Sequence, residues 1–166
     1  MKIEKVLSDS TVKIRPLEAE DLDKTLIWRN DNDSRKWFKN DIILSWEMHQ
    51  NWFNNYLSKD TDIVFAIESN TNAKLLGQVA CYNINMHLKT AEVGRFLIDP
   101  QMRNKGYMHK AIQLLLKFCK EDLMVEFVYL EVLESNCRAI NLYRKLGFSE
   151  VPSESASPML KMNLTL

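Results

Sequence analysis

The chain has no surplus of charge of either sign: 22 Lys and Arg stand against 22 Asp and Glu over 166 residues. That balance argues against a nucleic-acid binder held by bulk charge. Cysteine is scarce. Cys81, Cys119 and Cys137 are far apart and odd in number, and they read as buried free thiols in a reducing cytosol. There is no CxxC pair and no spaced His/Cys cluster, so no metal site is expected. No apolar run approaches the ~18 residues of a membrane span, and the N-terminus lacks the apolar core of a signal peptide. Two phosphate-binding patterns, GxGxxG and GxxxxGK[ST], are also missing. These absences predict a cytoplasmic chain with no metal, no nucleic acid and no membrane among its partners.

What is present is ordinary for a globular protein: 46% hydrophobic and 27% charged residues. The length suits one domain over residues 1–166 with a real core.

One stretch organises the rest. Ala91–Asp99 is apolar and β-prone, and Pro100–Gly106 is a short polar loop carrying Arg103, Asn104 and Lys105. Met108, Ala111, Ile112, Leu115 and Cys119 then recur at helical spacing. Strand, basic loop with one glycine, and helix together form an anion site. The free N–H groups of the first helical turn and the positive end of the helix dipole supply it. Gly106 lets the backbone approach a phosphate closely and Lys105 adds charge, so the turn reads as diphosphate-binding.

Around it, Lys2–Leu7 and Thr11–Leu17 read as short strands. Glu18–Asn30 reads as a helix with Ala19, Leu22, Leu26 and Arg29 near one face. Asn30–Ser34 is a loop by composition, Arg35–Asn40 a short helix or turn, and Ser45 the N-cap of a helix over Trp46–Ser58. Strands follow at Ile63–Glu68 and Lys74–Ile84, with Gly77 marking a bulge or a close backbone approach. After the central strand and helix come a strand at Val125–Leu133, nearly continuous in apolar residues and read as buried on both faces, and a helix at Asn136–Lys145 closed by Gly147. Short strands at Phe148–Val151 and Met159–Leu166 flank a polar loop, Pro152–Pro158. Hairpins before a βαβ crossover predict a mixed α/β sheet. The last strand is a candidate for pairing across a homodimer; monomer and homodimer both stay open.

RNKGYM (Arg103–Met108) resembles the Q/R-x-x-G-x-G/A loop of the GNAT N-acetyltransferases. SNCRAINLYRKLGF (Ser135–Phe148) resembles their second motif, N-x-x-A-x-x-L-Y-x-x-x-G-F. The likeness runs from Thr11 to the end in the family's element order. It departs at Met108, where Gly or Ala is commoner. The resemblance implies a central, mostly antiparallel twisted sheet, splayed at a cofactor cleft and flanked by about four helices. It also implies acetyl-CoA as cofactor. Arg103, Asn104, Lys105, Gly106, Tyr107 and Met108 would take the pyrophosphate. The main chain of Phe96, Leu97 and Ile98 would pair with the pantetheine arm and the acetyl carbonyl, with Asn136, Ala139 and Tyr143 beside the arm and thioester.

Acetyl transfer needs a neutral amine, a polarised carbonyl and a proton for the leaving thiolate. Glu92, four residues before the carbonyl-binding stretch, is the candidate base, and Tyr143 the candidate acid. On the acceptor side all four tryptophans, Trp28, Trp37, Trp46 and Trp52, fall between residues 28 and 52, interleaved with Arg29, Arg35, Lys36 and Lys39. Aromatic faces plus arginine suit a planar base and phosphates. The pattern resembles acetyltransferases of nucleotide-linked amino sugars, which makes Trp28, Arg29, Arg35, His49 and Arg95 candidate contacts to a small amine acceptor. Protein N-termini, polyamines and a non-catalytic acyl-CoA-binding module are the alternatives.

Overall fold

The computed structural model describes residues 4–152 and 157–166. Its strands are β1 (Leu7–Ser8), β2 (Val12–Pro16), β3 (Ile63–Ser69), β4 (Leu75–Asn85), β5 (Thr90–Ile98), β6 (Phe127–Leu133), β7 (Ser149–Val151) and β8 (Met159–Thr165). Its helices are α1 (Leu22–Asn30), α2 (Asn32–Arg35), α3 (Trp46–Leu57), α4 (Tyr107–Glu121) and α5 (Cys137–Lys145). The strands form one eight-stranded sheet in the order β1-β2-β3-β4-β5-β6-β8-β7. Every neighbouring pair is antiparallel except β5 and β6. A parallel pair requires a crossover, and α4 supplies it.

β5 and β6 pair over only three positions: Thr90 with Phe127, Ala91 with Val128 and Glu92 with Tyr129. Beyond Glu92 they part, while β5 stays paired with β4 as far as Ile98 opposite Gly77. The β6-facing edge of β5 is therefore without a strand partner from Val93 onward. The sheet is mixed and mostly antiparallel, and it opens at this point.

Two cores cover the two faces. Under α4, Ile14, Phe65, Ile67, Val79, Cys81, Val93, Val128 and Leu130 meet Ile112, Leu115 and Phe118; Phe65 and Phe118 pack edge to face at 5.1 Å. On the other face Leu17, Leu22, Trp28 and Phe53 pack on Val64, Ala66, Ala80 and Leu97. Arg15 holds the chain entering α1, donating to both carboxylate oxygens of Asp21 at 2.8 and 2.9 Å and to Glu68 at 2.8 Å.

Several details differ from the sequence reading. The Asn-rich loop after α1 contains a helical turn, α2, because the Asp31 carboxylate accepts from the Ser34 N–H and caps it. The buried stripe of α1 is Leu22, Thr25 and Trp28, while Leu26 is half-buried and Ile27 exposed. β6 is not buried on both faces. Val128, Leu130 and Val132 are covered, and Phe127, Tyr129, Glu131 and Leu133 alternate onto the other face, half-buried. Cys81 and Cys119 are buried, but Cys137 is exposed in the first turn of α5. β8 is not the edge strand, since it lies between β6 and β7; the edge at this end is β7, which pairs with β8 over only Lys161, Met162 and Asn163. The loop expected at Pro152–Pro158 lies partly outside the described residues. Among the described residues no helix is long and apolar enough to cross a membrane.

Candidate active site

The opening between β5 and β6 is bounded on one side by the loop into α4. Gly106 caps that helix with φ +81°, and a Cβ placed there would meet nothing within 4 Å. Asn104 is also left-handed, at φ +63°. The first intrahelical donor is Lys110, whose N–H reaches Gly106 O at 3.2 Å. The amides of Tyr107, Met108 and His109 therefore lie in the first turn, ahead of the helix ladder, where N–H groups have no intrahelical acceptor. An open approach and unspent amides fit a diphosphate. Met108 packs its side chain against the core and leaves the turn clear. Lys105 is exposed, its ammonium 3.5 Å from Met102 Sδ.

Arg103 is placed differently from the expectation. One guanidinium nitrogen donates to Asp31 Oδ2 and to Ser34 Oγ, both at 2.7 Å. It bridges the cofactor loop to the α1–α2 junction and its charge is met by Asp31, so it is not a free cation at the turn. This hydrogen bond, foremost, holds the Asp31 carboxyl below its ordinary range.

The free edge of β5 carries Phe96, Leu97 and Ile98. Leu97 is buried in the second core, and Phe96 and Ile98 lean on the first. Asn136 caps α5, its Oδ1 accepting from the Ala139 N–H at 3.2 Å. That helix ends at Gly147, φ +95°. It sets Tyr143 across the opening, with its ring 5.8 Å from Phe96 and 6.1 Å from Phe148. Burial pushes the Tyr143 phenol up, which keeps it protonated as a hydrogen-bond donor. Among the described residues its O–H has no hydrogen-bond partner.

Glu92 lies where β5 and β6 part. Tyr82 O–H donates to its Oε1 at 3.0 Å and the Asn83 amide to its Oε2 at 2.9 Å. Register puts Tyr82 and Tyr129 beside Glu92 on the same sheet face. Gly94 makes room for this, because a Cβ there would come within 2.6 Å of the Tyr82 oxygen. Burial and then Glu92 push the Tyr82 phenol up. Arg95 breaks the β5 ladder at φ +51°, lays its guanidinium over the Tyr82 ring at 4.3 Å, and donates to buried Asp62 at 2.9 Å. Sequence reasoning did not single out Tyr82, Asn83 and Tyr129, the neighbours of Glu92. Their signal was alternation along strands, and only the register across β4, β5 and β6 brings them to Glu92.

The acceptor candidates scatter. Trp28 is 7% exposed and belongs to the second core, so it is no acceptor wall. His49 is buried, 3.0 Å from Thr25 Oγ1 and stacked on Trp52 at 5.3 Å. Burial, then Arg29, lowers its pKa. It ties α3 to α1 and is not presented to a substrate. Arg29 lies over Phe38 at 4.1 Å and donates to Asn40 O. Arg35 donates to Asp41 O at 2.8 Å and Asn32 Oδ1 at 3.0 Å. Both arginines anchor the chain between α2 and α3 through carbonyl and amide oxygens, and each keeps one buried nitrogen, Arg29 Nη1 and Arg35 Nε, without a hydrogen-bond partner among the described residues. Trp37 and Trp46 are exposed and Trp52 half-buried, so the tryptophans form no single surface.

The acetyltransferase (GNAT) domain family model matches residues 11–149. The chain is 30% identical over 145 residues to the spermidine N(1)-acetyltransferase of Escherichia coli K12, covering 86% of this chain and 75% of that protein. It is 44% identical over 64 residues to an N-alpha-acetyltransferase of Sulfurisphaera tokodaii, 39% of this chain and 38% of that one. Its fold matches the structure of a Vibrio cholerae spermidine N-acetyltransferase in complex with CoA and spermine. That match has a TM-score of 0.84 at 22% identity, over 95% of this chain and 96% of that chain. The chain belongs to the GNAT family of N-acetyltransferases, acyltransferases that take their acetyl group from acetyl-CoA.

Proposed function

We propose that this acetyltransferase acts on a primary amine of a polyamine of the spermidine type. One observation carries the choice: carboxylates lie on both strands that border the opening, Glu92 on β5 and Glu131 on β6, with Tyr82 and Tyr129 in register beside Glu92. Of the cations that favoured an anionic sugar nucleotide, Arg103 is paired with Asp31, and Arg29 and Arg35 hold the α2–α3 connection. A polycationic acceptor suits that face. The likeness to the E. coli spermidine enzyme supports the same reading.

In this account Glu92 takes the proton of the attacking amine, directly or through water. The Tyr82 and Asn83 donors fix the direction of its lone pairs. Tyr143, buried and protonated, gives its proton to the departing thiolate. The open edge of β5 would hold the pantetheine arm and the acetyl carbonyl. Acetyl-CoA, when bound, supplies the activated acyl group.

A peptide α-amino group is the second reading, favoured by the 64-residue likeness to the N-alpha-acetyltransferase. The test is thiol release from acetyl-CoA with spermidine, a nucleotide-linked amino sugar and a short peptide. Release with spermidine and not with the others supports the proposal. Release with the sugar or peptide alone overturns it.

A further inference from the structure

We propose that Glu131 is a second ammonium site for the acceptor, now filled by the chain's own Lys39, and that it makes the enzyme prefer diamines and polyamines over monoamines. This rests on the polyamine reading and deepens it.

Glu131 stands two residues beyond Tyr129, which is in register with Glu92. Alternation puts Glu131 on the same face as Glu92 but one strand across, and about 7 Å farther along the opening by strand rise. Both carboxylates bear on the phenols between them: Glu92 and Glu131 each help push up Tyr82 and Tyr129, whose leading cause is burial. The face therefore carries two carboxylates, one on each strand bordering the opening, where an acceptor with more than one ammonium group could meet both.

Lys39 Nζ bonds Glu131 Oε2. Lys161 Nζ lies 3.8 Å from Oε1, at the margin of an ion pair. The primary ammonium of Lys39, on its methylene stem, is the same chemical group as the end of a polyamine. The geometry thus displays the contact that a second substrate ammonium would make. Lys39 is replaceable. It sits in an irregular segment between α2 and α3, its side chain is 61% exposed, and Glu131 is 22% exposed. An exposed pair of this kind contributes little to folding. A polyamine with its first amine at Glu92 would displace Lys39 and place its next ammonium on Glu131. A monoamine has nothing to put there.

The experiment compares spermidine with butylamine as acceptors for the intact enzyme, and measures spermidine binding by calorimetry. Wild type should prefer spermidine in kcat/KM. Glu131→Gln should cut that preference by about tenfold or more, mainly through KM for spermidine, because a neutral amide loses the charge-assisted bond. Lys39→Met should tighten spermidine binding by about two- to fivefold, since the internal competitor is gone. Three results overturn the inference: Glu131→Gln lowering kcat for both amines equally with KM intact, Lys39→Met weakening spermidine binding, or wild type treating the two amines alike. Acetylation of neither amine removes the polyamine reading and this site with it.

Discussion

The phenol of Tyr82 donates to Glu92 Oε1 at 3.0 Å, and the two residues face each other across the β4–β5 ladder. This bond, with the Asn83 amide on the other oxygen, aims the carboxylate at the place where β5 and β6 separate. Removing the carboxylate should remove the base. Glu92→Gln should lower kcat by about 10²–10⁴-fold with little change in acetyl-CoA binding. Tyr82→Phe should cost less, about tenfold, because it leaves the base present but less well aimed. Steady-state kinetics on the three proteins checks both.

The Tyr143 phenol has no hydrogen-bond partner among the described residues, so deleting its oxygen breaks no bond within the fold. Tyr143→Phe should leave the melting temperature nearly unchanged and lower kcat about 10²-fold. An unchanged kcat would remove Tyr143 as the acid.

Arg103 and Asp31 join residues 72 positions apart, at the cofactor loop and the α1–α2 junction. In a double-mutant cycle, Arg103→Ala and Asp31→Asn should show a coupling of about 1 kcal/mol. The same pair gives a pH signature. The Asp31 pKa is depressed in the fold, so its contribution is present above the ordinary carboxylate range and is lost as pH falls below about 4. Arg103→Ala should flatten that part of the stability–pH curve, measured by urea unfolding.

His49 works in the opposite pH range. Burial lowers its folded pKa below 6.5, so the unfolded chain binds the proton more readily. Stability should fall as pH drops below about 6.5 and level off beneath the folded pKa. Replacing His49 with Gln should abolish that slope.

Gly77 faces β5 at close range: a Cβ would stand 2.1 Å from the Leu97 carbonyl oxygen, which is backbone and cannot swing away. Gly77→Ala should cost about 3 kcal/mol or more, read as a lower urea midpoint. It should also raise KM for acetyl-CoA, because β5 at Leu97 is part of the cofactor edge.

Much of the fold was legible because periodicity is local. The amphipathic spacing of α4, the Ser45 cap of α3 and the Asn136–Gly147 frame of α5 each lie within one stretch of chain. Gly77 signalled a close approach, and one is present. The misreadings are non-local. α1 turns toward Thr25 and Trp28 because His49, 24 residues on, bonds Thr25. β8 enters the sheet between β6 and β7, which no spacing in its own residues specifies. Arg29 and Arg35, which suggested phosphate contacts, each donate to a backbone carbonyl of a neighbouring loop, and sequence cannot show such partners.

The most direct measurement is a crystal structure with a conjugate in which coenzyme A sulfur is joined through an acetyl linker to an amine of spermidine. The sulfur should lie between β5 and β6 within hydrogen-bond reach of the Tyr143 oxygen, with the substituted nitrogen directed at Glu92. A spermidine arm running away from Glu92, or a sulfur remote from Tyr143, would contradict the account.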